Sequence, residues 1–548
     1  MLMLLKNVKV IRPKTTKIQT RNGVGYVYQV IGKSYKRDKK YTVESRKLIG
    51  KMIDDEWMCP NEFFSQYYPD VSVEQEAPQF SDTLRIGCFL VIQKILRDLQ
   101  IEDILTSIFG ELGDFIEDIV SYMITNESCT FQYYSNFMRN HPILEKKVRD
   151  DTQISRFLKY EIKEEDITLF MRAWNQMNNT KECIYIGYDS TNFNTSSYGI
   201  ELADYGHPKV DEGLPQYNLA YAVKQKDSTP LFYELYDGSV IDNTELEIML
   251  EEAKEYGHEK IGLLMDRGYI SEKNIRMIRE KGYEYILMMK QNQKICQEIM
   301  DEYGAAIQSL EGYYIREHKV YGTTVQKELY GEKVYIHIYY DDVRASEERI
   351  SLMNRYDTWE KELDKKVEKK LAVEGELVKY KTAFKLKYDQ NGYLIAYQRN
   401  SKKIKEEIRK LGFFYIITSE EMDASKTLDI YRGRDNIEKM FRSLKTGIDF
   451  NKARVHTTES LKSKVFITFI AMIIRNEMFQ RMEDIRKKNR KSYTVPGMIS
   501  ELENIECTRN NVGKYRRRYA LTSKQKQILK QFDMDEKYID RSISKFSY

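Results

Sequence analysis

The period of the hydrophobic positions changes several times along the chain. In residues 24–50, VGYVYQVIGKSYKRDKKYTVESRKLIG, β-branched and aromatic residues alternate with polar ones, and the turn-like KRDKK divides them. That pattern predicts a basic β-hairpin. From 81 to 178 the period becomes helical, as in IGCFLVIQKILRDLQIEDIL and DITLFMRAWNQM, with few glycines or prolines. A separate helical domain is expected there. An ordered alternation comes next. CIYIGYD (183–189), YNLAYAV (217–223) and PLFYELY (230–236) read as three strands, and 243–257 as a capped helix ended by glycine. IGLLMD (261–266) reads as a short apolar strand, 271–282 as a second helix, and YEYILMM (283–289) as a further strand.

Three strands followed by helix, strand, helix and strand make an α/β sheet, and that is also the element order of an RNase H-like core. Residues 290–412 interrupt it. They start strand-like (GYYIREHKVYG, KVYIHIYY), continue as a charged helix (SEERISLMNRYDTWEKELDKKVEKKL) and return to strand (YLIAYQR). FFYIITS resumes the core, and a helix opens near Leu428. The expected layout is an N-terminal β-hairpin region (1–80), a helical domain (81–180), the first part of the core (181–289), a β-rich insertion domain (290–412), the second part of the core (413–480) and a basic helical C-terminal region (481–548). No internal repeat is found, and the Lys/Glu-rich run reads as a solvated helix face.

Composition narrows the class. The chain has 548 residues, 41% hydrophobic and 31% charged, the balance of a globular protein of several structural units rather than a disordered one. The longest apolar run, 465–474, falls far short of the roughly 20 residues of a membrane span, and the start MLMLLKNVKVIRPKTT lacks a small-residue cleavage site. Cys59, Cys88, Cys129, Cys183, Cys296 and Cys507 are scattered without a C-x-x-C pair, which argues against a zinc site or disulfide framework and fits a reducing cytosol. The net charge of +4 hides an asymmetry: from Tyr431 onward 27 Lys and Arg face 14 Asp and Glu, a balance of +13, leaving −9 for residues 1–430. A polyanion facing the C-terminal part is one reading and a solvated basic surface the other.

Among 84 acidic residues, three stand out by context. Asp189 ends an apolar strand and precedes Ser190 and Thr191; Asp266 ends IGLLMD and precedes Arg267-Gly268-Tyr269. Carboxylates at the C-terminal ends of buried strands lie where open α/β sheets bind ligands, although Asp is also a common turn or helix cap. The third lies in YRGRDNIEKMFRSLKTGIDF (431–450). On a helix at about 100° per residue, Tyr431, Arg434, Glu438 and Lys445 share an arc of about 60°, beside an apolar stripe of Ile430, Ile437, Phe441, Leu444 and Ile448. A surface pair of Glu438 with Arg442 is the bland alternative. Arg434 suits a phosphate bidentately, Lys445 as a point charge and Tyr431 through its hydroxyl. Phosphodiester cleavage needs an activated water and a stabilised leaving oxygen, which two Mg²⁺ ions roughly 4 Å apart provide. Oxygen ligands suffice for them, so Asp189 would bridge both ions while Asp266 and Glu438 each complete one site, with Mn²⁺ as a substitute. The six histidines are not paired at metal-ligand spacing.

The spacing Y-x₂-R-x₃-E-x₆-K, met by Tyr431, Arg434, Glu438 and Lys445, resembles the signature of type-four insertion-sequence transposases, bacterial DDE enzymes. DNIEKMFRSLKTGIDFNKARVHT resembles their catalytic helix and the stretch after it, DSTNFNTSS the block of the first Asp, MDRGYISEKNI that of the second, and LPQYNLAYAV with TPLFYELYDGS the strand pair between. Matching blocks span about 183–475; the hairpin and KQKQILKQF are similar to the longer members of the group. Asp266 lies 77 residues after Asp189, and Glu438 lies 172 after Asp266, room for the insertion domain of that branch. The resemblance implies a cut-and-paste enzyme, dimeric on two ends of double-stranded DNA. It would nick one strand, form a hairpin on the other, open it and join the 3′-hydroxyls to target DNA. It further implies phosphate contacts from Tyr431, Arg434 and Lys445, with Arg442 and Arg454 in the same DNA-binding set, and a bacterial, nucleoid-associated cytoplasmic location with no membrane partner. Insertion-domain aromatics are candidates for holding a flipped base; Trp359 is one, though its charged helix favours packing. One departure is Lys464, where many relatives place a histidine opening the next apolar helix. His456 reads as structural or functional alike. Candidate end-recognition surfaces are the hairpin at 33–47, the arginines 516–518 and the helical domain. Rival readings are a DNA-binding relative without catalysis, against which the three acids and the Tyr-Arg-Glu-Lys row argue, and a metal nuclease that cuts without joining.

Overall fold

The computed structural model describes residues 8–21, 23–36, 41–71, 74–75, 81–145, 147, 149–179, 183–206, 213–240, 242–309, 311–369, 377–488, 493–509 and 514–546. Most of the expected KRDKK turn therefore lies outside the described residues. The chain forms two compact units, one of residues 1–84 with 138–140, the other of 85–137 with 141–548.

In the first unit, Val24–Lys36 pairs antiparallel with Tyr41–Met52, the predicted hairpin. Strands Lys17–Arg21 and Trp57–Pro60 flank it. Its small core is Val10, Val27, Ile49, Met58 and Phe64. Three basic residues of this sheet, Lys17, Lys33 and Arg46, converge on Glu44 at 2.7, 3.5 and 2.9 Å.

The second unit is built on a nine-stranded sheet: β1 (Ile184–Asn194), β2 (Gln216–Lys224), β3 (Pro230–Asp237), β4 (Ile261–Met265), β5 (Glu284–Met288), β6 (Tyr314–Ile315), β7 (Val320–Leu329), β8 (Glu332–Tyr340) and β9 (Phe413–Thr418). Their order is β3-β2-β1-β4-β5-β9-β8-β7-β6. The first three are antiparallel, while β4 is parallel to both β1 and β5. Helices Asp242–Glu255 and Glu272–Glu280 connect β3 to β4 and β4 to β5, as their periodicity predicts. The wholly buried pattern of β4 reflects cover on both faces. Strands β6, β7 and β8 of the 290–412 segment enter this same sheet, because β9 pairs with both β5 and β8. The rest of that segment packs on its own core of Leu352, Tyr356, Leu363, Tyr380, Phe384 and Leu394, formed by helix Asp342–Glu368, helix Ser401–Lys410 and the hairpin Phe384–Tyr388/Leu394–Arg399. Trp359 belongs to this packing, edge-on to Tyr380 and beside Tyr356.

After β9 come α1 (Ala424–Arg432), α2 (Asp435–Arg442) and, beyond a single π-helical turn over Ser443–Gly447, the long α3 (Thr458–Arg481). The apolar run in α3 is buried on every side. Helices from residues 85–178 supply much of that cover; Phe109 and Phe170 both pack on Phe466. Among the described residues no helix is long and apolar enough to cross a membrane. None of the six cysteines, all of them among the described residues, forms a disulfide.

Candidate active site at the strand ends

Two of the three acids are placed by strand register. Gly187 and Leu264 are the last paired residues of β1 and β4, and Asp189 and Asp266 each lie two residues further on. Asp266 comes directly after the end of β4, as expected. Asp189 does not end β1: the strand continues to Asn194 because β2 keeps pairing with it as far as Asn194↔Gln216. Asp189 stands instead where the parallel neighbour stops, which opens that side of the strand. Each aspartate uses one oxygen locally, Asp189 Oδ1 accepting from Ser190 N at 2.9 Å and Asp266 Oδ1 from Arg267 N at 2.7 Å. Asp266 thereby caps the turn Arg267–Tyr269, so the cap reading holds for it as well.

The other oxygens face one guanidinium. Arg434 Nη2 lies 3.7 Å from Asp189 Oδ2 and 3.6 Å from Asp266 Oδ2, and its Nη1 lies 3.3 Å from Glu438 Oε1. One side chain thus touches all three carboxylates. Arg434 is only 14% exposed, whereas Glu438 is 54% exposed and free to turn. Burial opposes the charge on Arg434, but Tyr431 and the three carboxylates outweigh it and hold the group protonated. Glu438 pairs with Arg434 one turn back rather than with Arg442 one turn on.

Lys445 meets the same strand further along. Its Nζ donates to Thr191 Oγ1 at 2.7 Å and lies 5.0 Å from the Phe193 ring. Asp189, Thr191 and Phe193 alternate onto one face of β1, so Lys445 and Asp189 share that face. Of the apolar stripe, Ile437, Phe441, Leu444 and Ile448 are buried, and Ile430 is half-buried against the core.

The sequence of residues 186–474, more than half of the chain, matches the family model described as the transposase DDE domain. The chain belongs to the DDE transposase family. No curated protein sequence matches it. Among solved structures, the cryo-EM synaptic complex of piggyBac transposase with hairpin DNA aligns with 80% of this chain and 76% of that one, at 11% identity and a TM-score of 0.33.

The remaining predicted residues of this DDE-family chain fall into two groups. Tyr431 lies beside Arg434 but is buried in the core with Ile416 and Leu428, and burial pushes its hydroxyl up to about 12. Arg442 and Arg454 are exposed; Arg454 pairs with Asp449 at 3.2 Å. His456 is exposed, and its backbone carbonyl accepts from Ser197 Oγ. Lys464 is only 1% exposed, donates to Ala453 O at 2.5 Å and lies 4.7 Å from the Phe131 ring, so it belongs to helix packing.

Sequence reasoning overlooked the support beneath this site. Arg475 on α3, 5% exposed, donates to Ser443 Oγ at 3.1 Å and to Glu127 Oε1 at 2.5 Å, and so braces the π turn that carries Lys445. The one signal was a lone arginine in the apolar stretch VFITFIAMIIRNEMF.

The carboxylate set suits a hard divalent cation. All its donors are oxygens, and one guanidinium balances one of three negative charges. Among the described residues no three Asp, Glu, His or Cys side chains already surround one point at ligand spacing; the three acids are spread around Arg434 instead.

Proposed function

We propose that this chain is a cut-and-paste DNA transposase with an RNase H-like core, of the type-four insertion-sequence group, acting as a homodimer on paired transposon ends in the bacterial nucleoid. The observation that carries the reading is the contact of Arg434 with Asp189, Asp266 and Glu438. It supports these three, out of 84 acidic residues, as one functional set. Strand order 3-2-1-4-5 for the first five strands supports the core assignment.

Asp189 would hold both Mg²⁺ ions, with Asp266 and Glu438 each holding one. Mg²⁺, or Mn²⁺ in its place, supplies Lewis-acid stabilisation of the charge that builds on the oxygens around phosphorus. The protein's own part is positioning and charge. Arg434 keeps the carboxylates together and is a bidentate partner for phosphate; Lys445 offers a fixed cation further along the same strand face. A first cut frees a 3′-hydroxyl, which attacks the opposite strand and closes a hairpin. Water opens the hairpin, and the two 3′-hydroxyls then attack target phosphodiesters. Every step exchanges one P–O bond for another, so no oxidant or reductant is required.

The test is cleavage of a labelled transposon-end duplex in Mg²⁺ by the intact chain and by Glu438→Gln. Cutting and joining by the intact chain, with binding but loss of at least about a hundredfold in rate for the variant, is the expected result. Equal cutting by both removes Glu438 from the site. Binding without cutting by either favours a DNA-binding relative, and cutting without joined product favours a nuclease.

A further inference from the structure

A cavity of about 350 Å³ lies beside α2, the helix that carries Glu438. Asn436 and Met440, each two residues from Glu438, point about 200° around the helix from it and line the cavity. Its walls are mostly apolar, with Met440, Met472, Phe479 and Val495 among them, while its charged residues are Lys439, Arg442, Arg475 and Arg486 against Glu127 alone. Two arrangements suggest an occupant. Arg475 is buried and has committed Nε and Nη2 to Ser443 and Glu127, yet its Nη1 has no hydrogen-bond partner among the described residues. The Arg486 guanidinium sits over Phe479, 3.8 Å from the ring centre, and brings a cation to the wall.

A cavity with apolar walls, cations and one unused buried N–H matches a ligand that joins a flat ring to an anion. Its volume lies at the lower end of small-ligand sites, larger than a phosphate needs. We infer that it receives one unpaired nucleotide of the DNA engaged at the acidic site. The base would rest against Met472 and Phe479, with an acceptor on Arg475 Nη1 and the phosphate at Lys439 and Arg442. Arg442, on the cavity wall, stands one helical turn beyond Glu438, about 6 Å along the helix, a step that a nucleotide or two of unpaired strand spans. This inference rests on the proposed action on DNA.

The test compares binding of the full chain to two short fluorescent duplexes, one flush and one ending in two unpaired thymidines. The intact chain is expected to prefer the unpaired end about tenfold, within the range of base stacking on a protein surface. Val495→Phe, which narrows the cavity, and the pair Lys439→Ala with Arg486→Ala are each expected to abolish the preference and leave flush-duplex affinity within about threefold. If the preference survives in both variants, or if the intact chain binds flush duplex with no preference, the cavity assignment is wrong and the DNA reading stands. Failure to bind either duplex overturns the proposed function along with the inference. If inorganic phosphate removes the preference as effectively as thymidine monophosphate at equal ionic strength, the cavity is an anion site and the nucleotide assignment falls.

Discussion

At the scale of single residues, the decisive fact is that a side chain's meaning depends on what it meets. Arg434 reads in sequence as a phosphate ligand; in the fold it first of all contacts three carboxylates and offsets one of their charges. Lys464 shows the same dependence with a measurable consequence. It is almost fully buried, and that burial lowers its pKa from 10.5 to about 8, against a raising effect of Cys129 and with Arg454 nearby lowering it further. Below about 8 both folded and unfolded chains carry the proton, and the folded state bears the full cost of a buried charge. As pH rises through 8 toward 10.5 the folded state releases the proton first, so stability increases across that window. At 1.36 kcal/mol per pH unit, the gain is about 3 kcal/mol. Urea unfolding of the intact chain and of Lys464→Met should therefore give a stability difference that moves by that order in favour of the intact chain between neutral and alkaline pH. A difference that stays flat would show that Lys464 is not buried as a cation.

At the scale of elements, the helix that carries Glu438 is where the periodic reading and the structure part. A regular helix over 431–450 accounts for the buried stripe, yet the chain divides it at Gly433 and Arg434 and ends it in the π turn at Ser443–Gly447. The π turn is invisible to a 3.6-residue count because its cause is tertiary. Gly447 packs against Arg475, and a Cβ there would stand 2.7 Å from Nε and Nη2 and 2.8 Å from Cζ of that guanidinium. Since Arg475 is tied to Ser443 and Glu127, it has little room to retreat. Gly447→Ala should cost about 1–3 kcal/mol of stability, the usual range for overpacking, and weaken DNA binding by displacing Lys445. Thermal unfolding and a binding titration read the two effects; an unchanged midpoint would mean that the turn yields easily. The acid-bearing strands were far more legible. Asp266 comes after a five-residue apolar strand as read, and only the extension of β1 past Asp189 needed the pairing partner to be seen.

At the scale of the molecule, periodicity found the elements but not their company. Residues 81–178 read as helical; Thr83–Arg85 instead form a short strand and the helices begin at Gly87. That those helices would wrap α3, whose own pattern is apolar on all sides, is a long-range fact that no local window contains. The joining of β7 and β8 to the main sheet is hidden in the same way, since β9, the strand that links them to it, lies more than seventy residues further on. Charge needs the same correction. Of the basic excess after Tyr431, much is used internally. Arg517 pairs with Glu536 at 3.0 Å and Asp540 at 3.5 Å, Arg518 with Glu506 at 2.9 Å, and Lys524 with Glu501 at 2.7 Å. Arg516, beside Arg517 on the short strand Tyr515–Arg517, is exposed and takes no part in those pairs. If the C-terminal surface holds DNA, it does so through residues of that kind. Each phosphate contact contributes about 0.9 to the slope of log affinity against log salt concentration. Arg516→Ala should then lower that slope by about one with the unfolding midpoint unchanged, whereas Arg517→Ala should lower the midpoint and leave the slope alone. A slope unaltered by Arg516→Ala would move the DNA-holding surface away from this arginine cluster and toward the N-terminal sheet. There three cations share Glu44, and Glu44→Gln should then release them and raise the slope.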